Sequence, residues 1–251
     1  MKKITKTGFT LAEILVALGI VGVISAMTIS ALTAGVQKKQ LAVSLGKDVD
    51  VIETGCQKLI QYASGISTDG DFLGHYMINK ALNGSDIGSA ASNSISGNNL
   101  WIGTGTFFGT KALTSTEVAN YKKSVTAFNN GSASPSPNDL AGSNIVVHEK
   151  SGAYFGTKGV TESASYSDPI VGYIYIDVNG ASSPNKYGRD VFLYGLTDAC
   201  HMIPAGTARM EAINSRLPKE TDTTGCKEGS AVSNGLSCTA RVVREGYKIS
   251  Y

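Results

Sequence analysis

The sequence predicts an α+β protein in which a long N-terminal helix packs against a C-terminal antiparallel β-sheet. Residues 9–35 form an apolar run whose only charge is Glu13. Residues 36–64 continue with apolar side chains at helical spacing. The exported part comprises residues 65–251, and most of its strand-like runs follow residue 142. A helix followed by consecutive strands favours a sheet that covers one side of the helix.

The apolar run is long enough to cross a membrane. As a helix it would extend roughly 40 Å, whereas the hydrocarbon core of a bilayer is about 30 Å thick. The leader before it, residues 1–8, contains Lys2, Lys3 and Lys6 but no acidic residue. The positive-inside rule therefore predicts a cytoplasmic N-terminus and an exported domain.

Two simpler interpretations of the run are a secretory signal peptide and a plain signal anchor. A signal peptide has an apolar core of about 7–15 residues followed by a small-residue cleavage site. This run is longer, and only a weak site of that kind lies between Thr33 and Gly35. A signal anchor would do no more than tether the exported domain.

Glu13 is the candidate functional residue of the run. An acidic side chain costs a few kcal/mol to bury in a bilayer, so it needs a cation or a proton. Phe9, four residues before Glu13, lies on the same helix face. The helix dipole would add only about 0.3–1 kcal/mol, which does not offset burial.

Gly8, Phe9, Thr10, Leu11 and Glu13 resemble the N-terminal motif of type IV pilins and type II secretion pseudopilins. The resemblance implies that a prepilin peptidase cleaves between Gly8 and Phe9 and methylates the new amine of Phe9. It also implies a filament whose core is the N-terminal helix, with Glu13 paired to the Phe9 amine of a neighbouring subunit.

The same resemblance implies partners and locations. The partners are other pilin or pseudopilin subunits and the prepilin peptidase. The precursor would be a single-pass protein of the inner membrane, and the mature form would lie in a pilus or pseudopilus, in the periplasm or at the cell surface. A surface pilus, a secretion pseudopilus and a DNA-uptake filament all remain open, and the rival of another class is a membrane-tethered binding or adhesin domain that does not polymerise.

Charge and cysteine content fit an exported domain. The formal charge of +2 becomes −1 when the three leader lysines are removed, so no nucleic-acid surface is indicated. Four cysteines allow three disulfide connectivities, of which we prefer Cys226 with Cys238 and Cys56 with Cys200. The sequence contains no C-x-x-C pair, which is the spacing that would suggest a zinc site.

The helix is predicted to continue as an amphipathic helix over residues 36–64, because apolar residues recur at steps of three and four. They are Leu41, Leu45, Val49, Ile52, Cys56, Leu59 and Ala63. Thr114 and Glu117 form a possible capping box before a short helix that ends near Lys123. Strands are predicted at residues 143–149 and 152–156, which form a hairpin, and at 170–177, 190–196, 238–243 and 247–251.

The loop of residues 177–190 is a candidate calcium site. Asp177, Asn179 and Asp190 supply oxygen ligands, and Gly180 lies at the bend. The loop fails as an EF-hand, because Ala181 stands at the fifth position. The alternative is an Asx-rich turn between two strands that needs no cofactor.

No enzymatic constellation is evident. His75, His148 and His201 are scattered, and neither an H-E-x-x-H nor a G-x-S-x-G motif occurs. His201 follows Cys200, but adjacent side chains rarely face each other productively. We therefore expect a protein that is not an enzyme.

Overall fold

The computed structural model describes residues 10–64, 108–125, 144–160, 162, 166–214, 217–222, 225–226 and 233–251. The helices are α1 (Leu11–Ser64), α2 (Ser115–Ser124), α3 (Ala208–Ile213) and α4 (Cys238–Arg244). The strands are β1 (Thr110–Ala112), β2 (Asn144–His148), β3 (Tyr154–Gly159), β4 (Ile170–Asp177), β5 (Val191–Thr197) and β6 (Met202–Pro204). The chain divides into two units, Met1–Gln40 and Leu41–Tyr251.

From Leu41 onward, α1 is amphipathic. Leu45, Ile52 and Cys56 are fully or almost fully buried, whereas Val43 and Lys47 are exposed. The predicted apolar stripe is therefore confirmed along this part of the helix. The side chains of Leu59 and Ala63, which the prediction also included, lie outside the described part.

The six strands form one antiparallel sheet in the order in which they occur along the chain. The predicted hairpin of β2 and β3 is confirmed, with the His148 N–H donating to Ala153 O at 2.8 Å across the turn. The α+β class is likewise confirmed at this level: a helix with an apolar N-terminal part and a C-terminal antiparallel sheet.

Both faces of β4 and β5 are buried, and their side chains alternate between two cores. The core on one face includes Ile174, Ile176, Phe192 and Tyr194 with Leu45, Val49 and Ile52 of α1. The core on the other face includes Tyr173, Tyr175 and Leu193 with Tyr121 of α2 and Met210 of α3. The sheet thus lies between α1 and a second layer formed by α2 and α3.

The prediction of strands at residues 238–243 and 247–251 was wrong. Residues Cys238–Arg244 form α4, and Tyr251 lies in irregular chain. The helix ends in a Schellman motif: Gly246 has φ +69°, its N–H donates to Val243 O, and the Tyr247 N–H donates to Val242 O. Gly246, which stands between the two predicted strands, is therefore the residue that ends a helix.

Two disulfides connect the pairs that the sequence analysis preferred. Cys56 of α1 is bonded to Cys200, which lies between β5 and β6, and Cys226 is bonded to Cys238 at the start of α4. The first bond joins α1 to the far end of the sheet. The second fixes the beginning of α4.

Loss of the Cys56–Cys200 bond should cost more stability than loss of the Cys226–Cys238 bond. The bonded residues are 144 and 12 positions apart, and chain entropy makes the longer connection worth more by on the order of 2 kcal/mol. We expect the double variant Cys56→Ala with Cys200→Ala to unfold at a lower urea concentration than Cys226→Ala with Cys238→Ala, for the full chain in detergent. An equal or larger loss in the second variant would contradict this expectation.

Candidate functional site

The N-terminal part of α1 contains a segment that could cross a membrane. Leu11–Ile29 comprises 19 residues with a mean hydropathy of 2.2. A signal sequence near an N-terminus would pass the same test of length and composition. The segment is therefore a candidate membrane span on these two properties.

The apolar side chains of this segment are uncovered in the monomer. Leu11, Leu18 and Met27 are 78%, 64% and 72% exposed. Exposed apolar residues occupy successive positions, as at Leu15 and Val16, so they surround the helix instead of forming one stripe. Such a helix needs lipid or other protein around it.

Glu13 lies in the first turn of α1 and forms a capping box with Thr10. The Thr10 N–H and hydroxyl donate to Glu13 Oε2 at 2.8 and 2.9 Å, and the Glu13 N–H donates to Thr10 Oγ1 at 3.3 Å. The carboxylate therefore has two donors within its own helix. Hydrogen bonds from neutral donors do not cancel the charge of a carboxylate, so they do not replace a cation or a proton.

The same geometry occurs at the start of α2, where the predicted capping box of Thr114 and Glu117 is confirmed. The corresponding distances there are 2.8, 2.7 and 3.3 Å. The pattern Thr-x-x-Glu is present at both places. The capping box at Thr10 could therefore have been predicted from the sequence in the same way as the one at Thr114, but the sequence analysis missed it.

Gly8 and Phe9 lie outside the described residues. Cleavage between them, methylation of Phe9 and pairing of the Phe9 amine with Glu13 therefore stay predictions.

A second polar contact that the sequence analysis missed joins α1 to the edge of the sheet. Glu53 Oε1 accepts a hydrogen bond from the Met202 N–H of β6 at 2.8 Å. The Glu53 carboxylate thereby gives a hydrogen-bond partner to a backbone N–H of β6, which is an edge strand of the sheet. This contact lies close to the Cys56–Cys200 bond along both chain segments.

His201 and Cys200 do not form a thiol and base. Cys200 is in a disulfide, and His201 Nδ1 lies 3.0 Å from Asp168 Oδ2. This hydrogen bond raises the pKa of His201. The pair links the turn between β5 and β6 to the segment before β4.

The three candidate calcium ligands lie in one loop, where Asp177 and Asp190 are fully buried. Asp177 accepts hydrogen bonds from the Tyr121 hydroxyl at 2.8 Å and the Asn179 N–H at 3.2 Å. Asp190 accepts from the backbone N–H groups of residues 185 and 186 at 3.0 and 2.5 Å. All four carboxylate oxygens thus have donors, and burial raises the pKa of both groups.

The hydrogen bonds from backbone N–H groups to Asp177 and Asp190 are those of Asx-type turns, and calcium binding by this loop stays a prediction. Within the described ranges, no group of three or more His, Cys, Asp or Glu side chains is placed to hold a metal ion. Gly180 has φ +59°, and a Cβ there would collide with Gly152 O. The loop is therefore fixed by its own hydrogen bonds and by close backbone contact with the β2–β3 turn.

We expect calcium to have no effect on the stability of this loop. The carboxylates of Asp177 and Asp190 already accept hydrogen bonds from the protein, so chelation should leave Tm unchanged. The measurement is the melting temperature of the full chain in detergent with excess Ca²⁺ and with excess EDTA. A higher Tm with Ca²⁺ that Asp190→Asn abolishes would instead support the calcium site.

The features that point to a function lie at the start of α1: an uncovered apolar helix and an acid in its first turn. The other polar contacts described above join elements of the fold. No protein-family model, curated protein or solved structure matches this chain.

Proposed function

We propose that this chain is a structural subunit of a type IV pilus or a type II secretion pseudopilus that polymerises through its N-terminal helix. The observation that carries the proposal is the exposed apolar segment Leu11–Ile29 with Glu13 in its first turn. The same helix, α1, continues into residues that pack against the sheet. The single helix α1 thus contains both the exposed apolar segment and residues of the domain's core.

The apolar segment has two successive environments in this proposal. Lipid surrounds it in the precursor, since a helix apolar on all sides is stable in a bilayer. Neighbouring copies surround it in the filament, where helix packing covers the side chains that leave the lipid. Both environments bury side chains such as Leu18 and Met27, which are mostly exposed in the monomer.

Glu13 sets the register of assembly in this proposal. The two hydrogen bonds from Thr10 hold its carboxylate at the start of the helix. The negative charge still needs a partner in an apolar filament core. The methylated ammonium of Phe9 from a neighbouring subunit supplies it, so subunits in the wrong axial position leave two buried charges unpaired.

Processing and location follow from this role. The prepilin peptidase removes residues 1–8 and methylates Phe9 at the inner membrane, which the precursor crosses once. The domain is exported to an oxidising compartment, in which disulfides such as Cys56–Cys200 persist. The protein acts as a building unit, without catalysis, a cofactor or a nucleic-acid ligand.

The alternative is a membrane-tethered binding or adhesin domain that does not polymerise. Lipid alone would then cover Leu11–Ile29 permanently. The two proposals differ in the mature N-terminus and in the effect of changing Glu13.

We expect the mature protein from its own host to begin at methylated Phe9. The measurement is the mass of the N-terminal peptide after proteolysis of the membrane and filament fractions. A chain that begins near Gly35 would show signal-peptide removal and end the filament proposal. An intact leader would support the tethered alternative.

Glu13→Ala should leave membrane insertion and cleavage intact but lower filament yield by about tenfold or more, because a lost pairing of at least 1.4 kcal/mol per contact corresponds to that factor. Sheared filaments and membrane fractions are compared by immunoblotting. Glu117→Ala is the matched control, since it removes an equivalent capping box from α2, and it should leave filament yield unchanged. Normal filament yield from Glu13→Ala would refute the register mechanism.

A further inference from the structure

Strand β6 forms one edge of the sheet and pairs with β5 on its inner side. The Thr197 N–H donates to His201 O at 3.0 Å, and the Ala205 N–H donates to Leu193 O at 3.0 Å. These two bonds lie just before and just after the strand. The other side of β6 faces away from the sheet, and an edge of this kind is a template for pairing with another chain.

The outward backbone groups of β6 belong to Met202 and Pro204. In an antiparallel ladder, successive residues turn their backbone groups alternately toward the neighbouring strand and away from it. Met202 and Pro204 alternate with the residues that bond to β5, so their groups point outward. Proline has no N–H. The outward set is therefore the Met202 N–H, Met202 O and Pro204 O.

Protein side chains already occupy two of these three groups. Glu53 Oε1 accepts the hydrogen bond from the Met202 N–H at 2.8 Å. The Thr207 hydroxyl donates to Pro204 O at 3.1 Å. Within the described ranges, Met202 O is the outward group that still lacks a donor.

The Glu53 carboxylate is held in place by its neighbours along both chain segments. Cys56, three residues after Glu53 on α1, lies on the same helix face. Its disulfide partner Cys200 stands two residues before Met202. A hydrogen bond from a backbone N–H to a carboxylate is also stronger than one to a neutral carbonyl. An added strand would therefore have to exchange a strong bond for a weaker one.

A second copy of this chain is the partner that the edge would otherwise fit. Two β6 strands can pair antiparallel about a two-fold axis at Met202, so that the Met202 N–H of each copy donates to the same carbonyl of the other. The edge is thus complementary to itself. Because the axis makes both bonds identical, a Glu53 carboxylate on each copy removes both donors.

We propose that Glu53 and Pro204 close the β6 edge against strand pairing with a second copy of this chain. Glu53 occupies the outward N–H at position 202, and Pro204 supplies none at the next outward position. This inference goes beyond the proposed function, because it concerns the folded domain and not the apolar segment Leu11–Ile29. Copies that are brought close together then remain separate at their sheets.

The test is self-association of the full chain in detergent, measured by analytical ultracentrifugation over a series of protein concentrations. Glu53→Ala leaves the Met202 N–H without its acceptor. We expect the dimer dissociation constant of this variant to be about tenfold or more below that of the wild-type chain, the factor expected when two hydrogen bonds with a net favourable free energy become available. Association through Leu11–Ile29 is common to both chains and does not affect the ratio.

Two control variants separate closure of the edge from a change in charge. Glu53→Gln removes the charge but keeps a side-chain oxygen that can accept the Met202 N–H, so it should associate as the wild-type chain does. Asp50→Ala removes an exposed acidic side chain from the same part of α1 and should also match the wild-type chain. Pro204→Val adds an outward N–H while Glu53 is retained. We expect it to strengthen association, and it decides the question if Glu53→Ala does not fold.

Amide hydrogen exchange, measured by NMR in the same detergent, locates the contact. In Glu53→Ala, protection of the Met202 N–H should be low in dilute samples and rise with protein concentration as dimers form. In the wild-type chain, this N–H should be protected at every concentration. Unchanged association of Glu53→Ala would overturn the proposal. So would equally strong association of Glu53→Gln or Asp50→Ala, or a Met202 N–H that stays unprotected when Glu53→Ala is dimeric.

Discussion

Burial of one side of α1 against the sheet is the constraint on which the domain depends. Leu45, Val49 and Ile52 lie in the same core as the inner faces of β4 and β5, and each such side chain contributes about 1.5–3 kcal/mol when buried. Polar groups on the same part of α1 must then find partners. Asp48 contacts Ser151, and Glu53 accepts a hydrogen bond from β6.

The parts of the fold that sequence predicts well are those with strong periodicity. The helical stripe at Leu45, Val49 and Ile52 and the long strand β4 were found, because many residues repeat one pattern. The edge strands β1 and β6 have only three residues each, too few for any alternation to show. The C-terminal helix was mistaken for a strand because Val242 and Val243 have high β propensity, and the signal that outweighs them is Gly246 at the helix end.

The candidate functional residues likewise divide into those that a sequence pattern reveals and those that only the folded structure reveals. Glu13 stands out because a single acid in an apolar run is anomalous, and its cap with Thr10 follows from a four-residue pattern. The meeting of Glu53 with Met202, 149 positions later, depends on how α1 packs on the sheet. No local pattern encodes such a contact, so it becomes visible only when the strand register and the buried side of the helix are both known.

The Cys56–Cys200 bond also determines how the domain would respond to mechanical load. A pull on the sheet reaches α1 through a covalent bond on the β5–β6 side. The β2–β3 hairpin is held to α1 by hydrogen bonds and apolar contacts, which break at far lower force. Under tension the hairpin side would separate from the helix first, while the disulfide side keeps the domain attached.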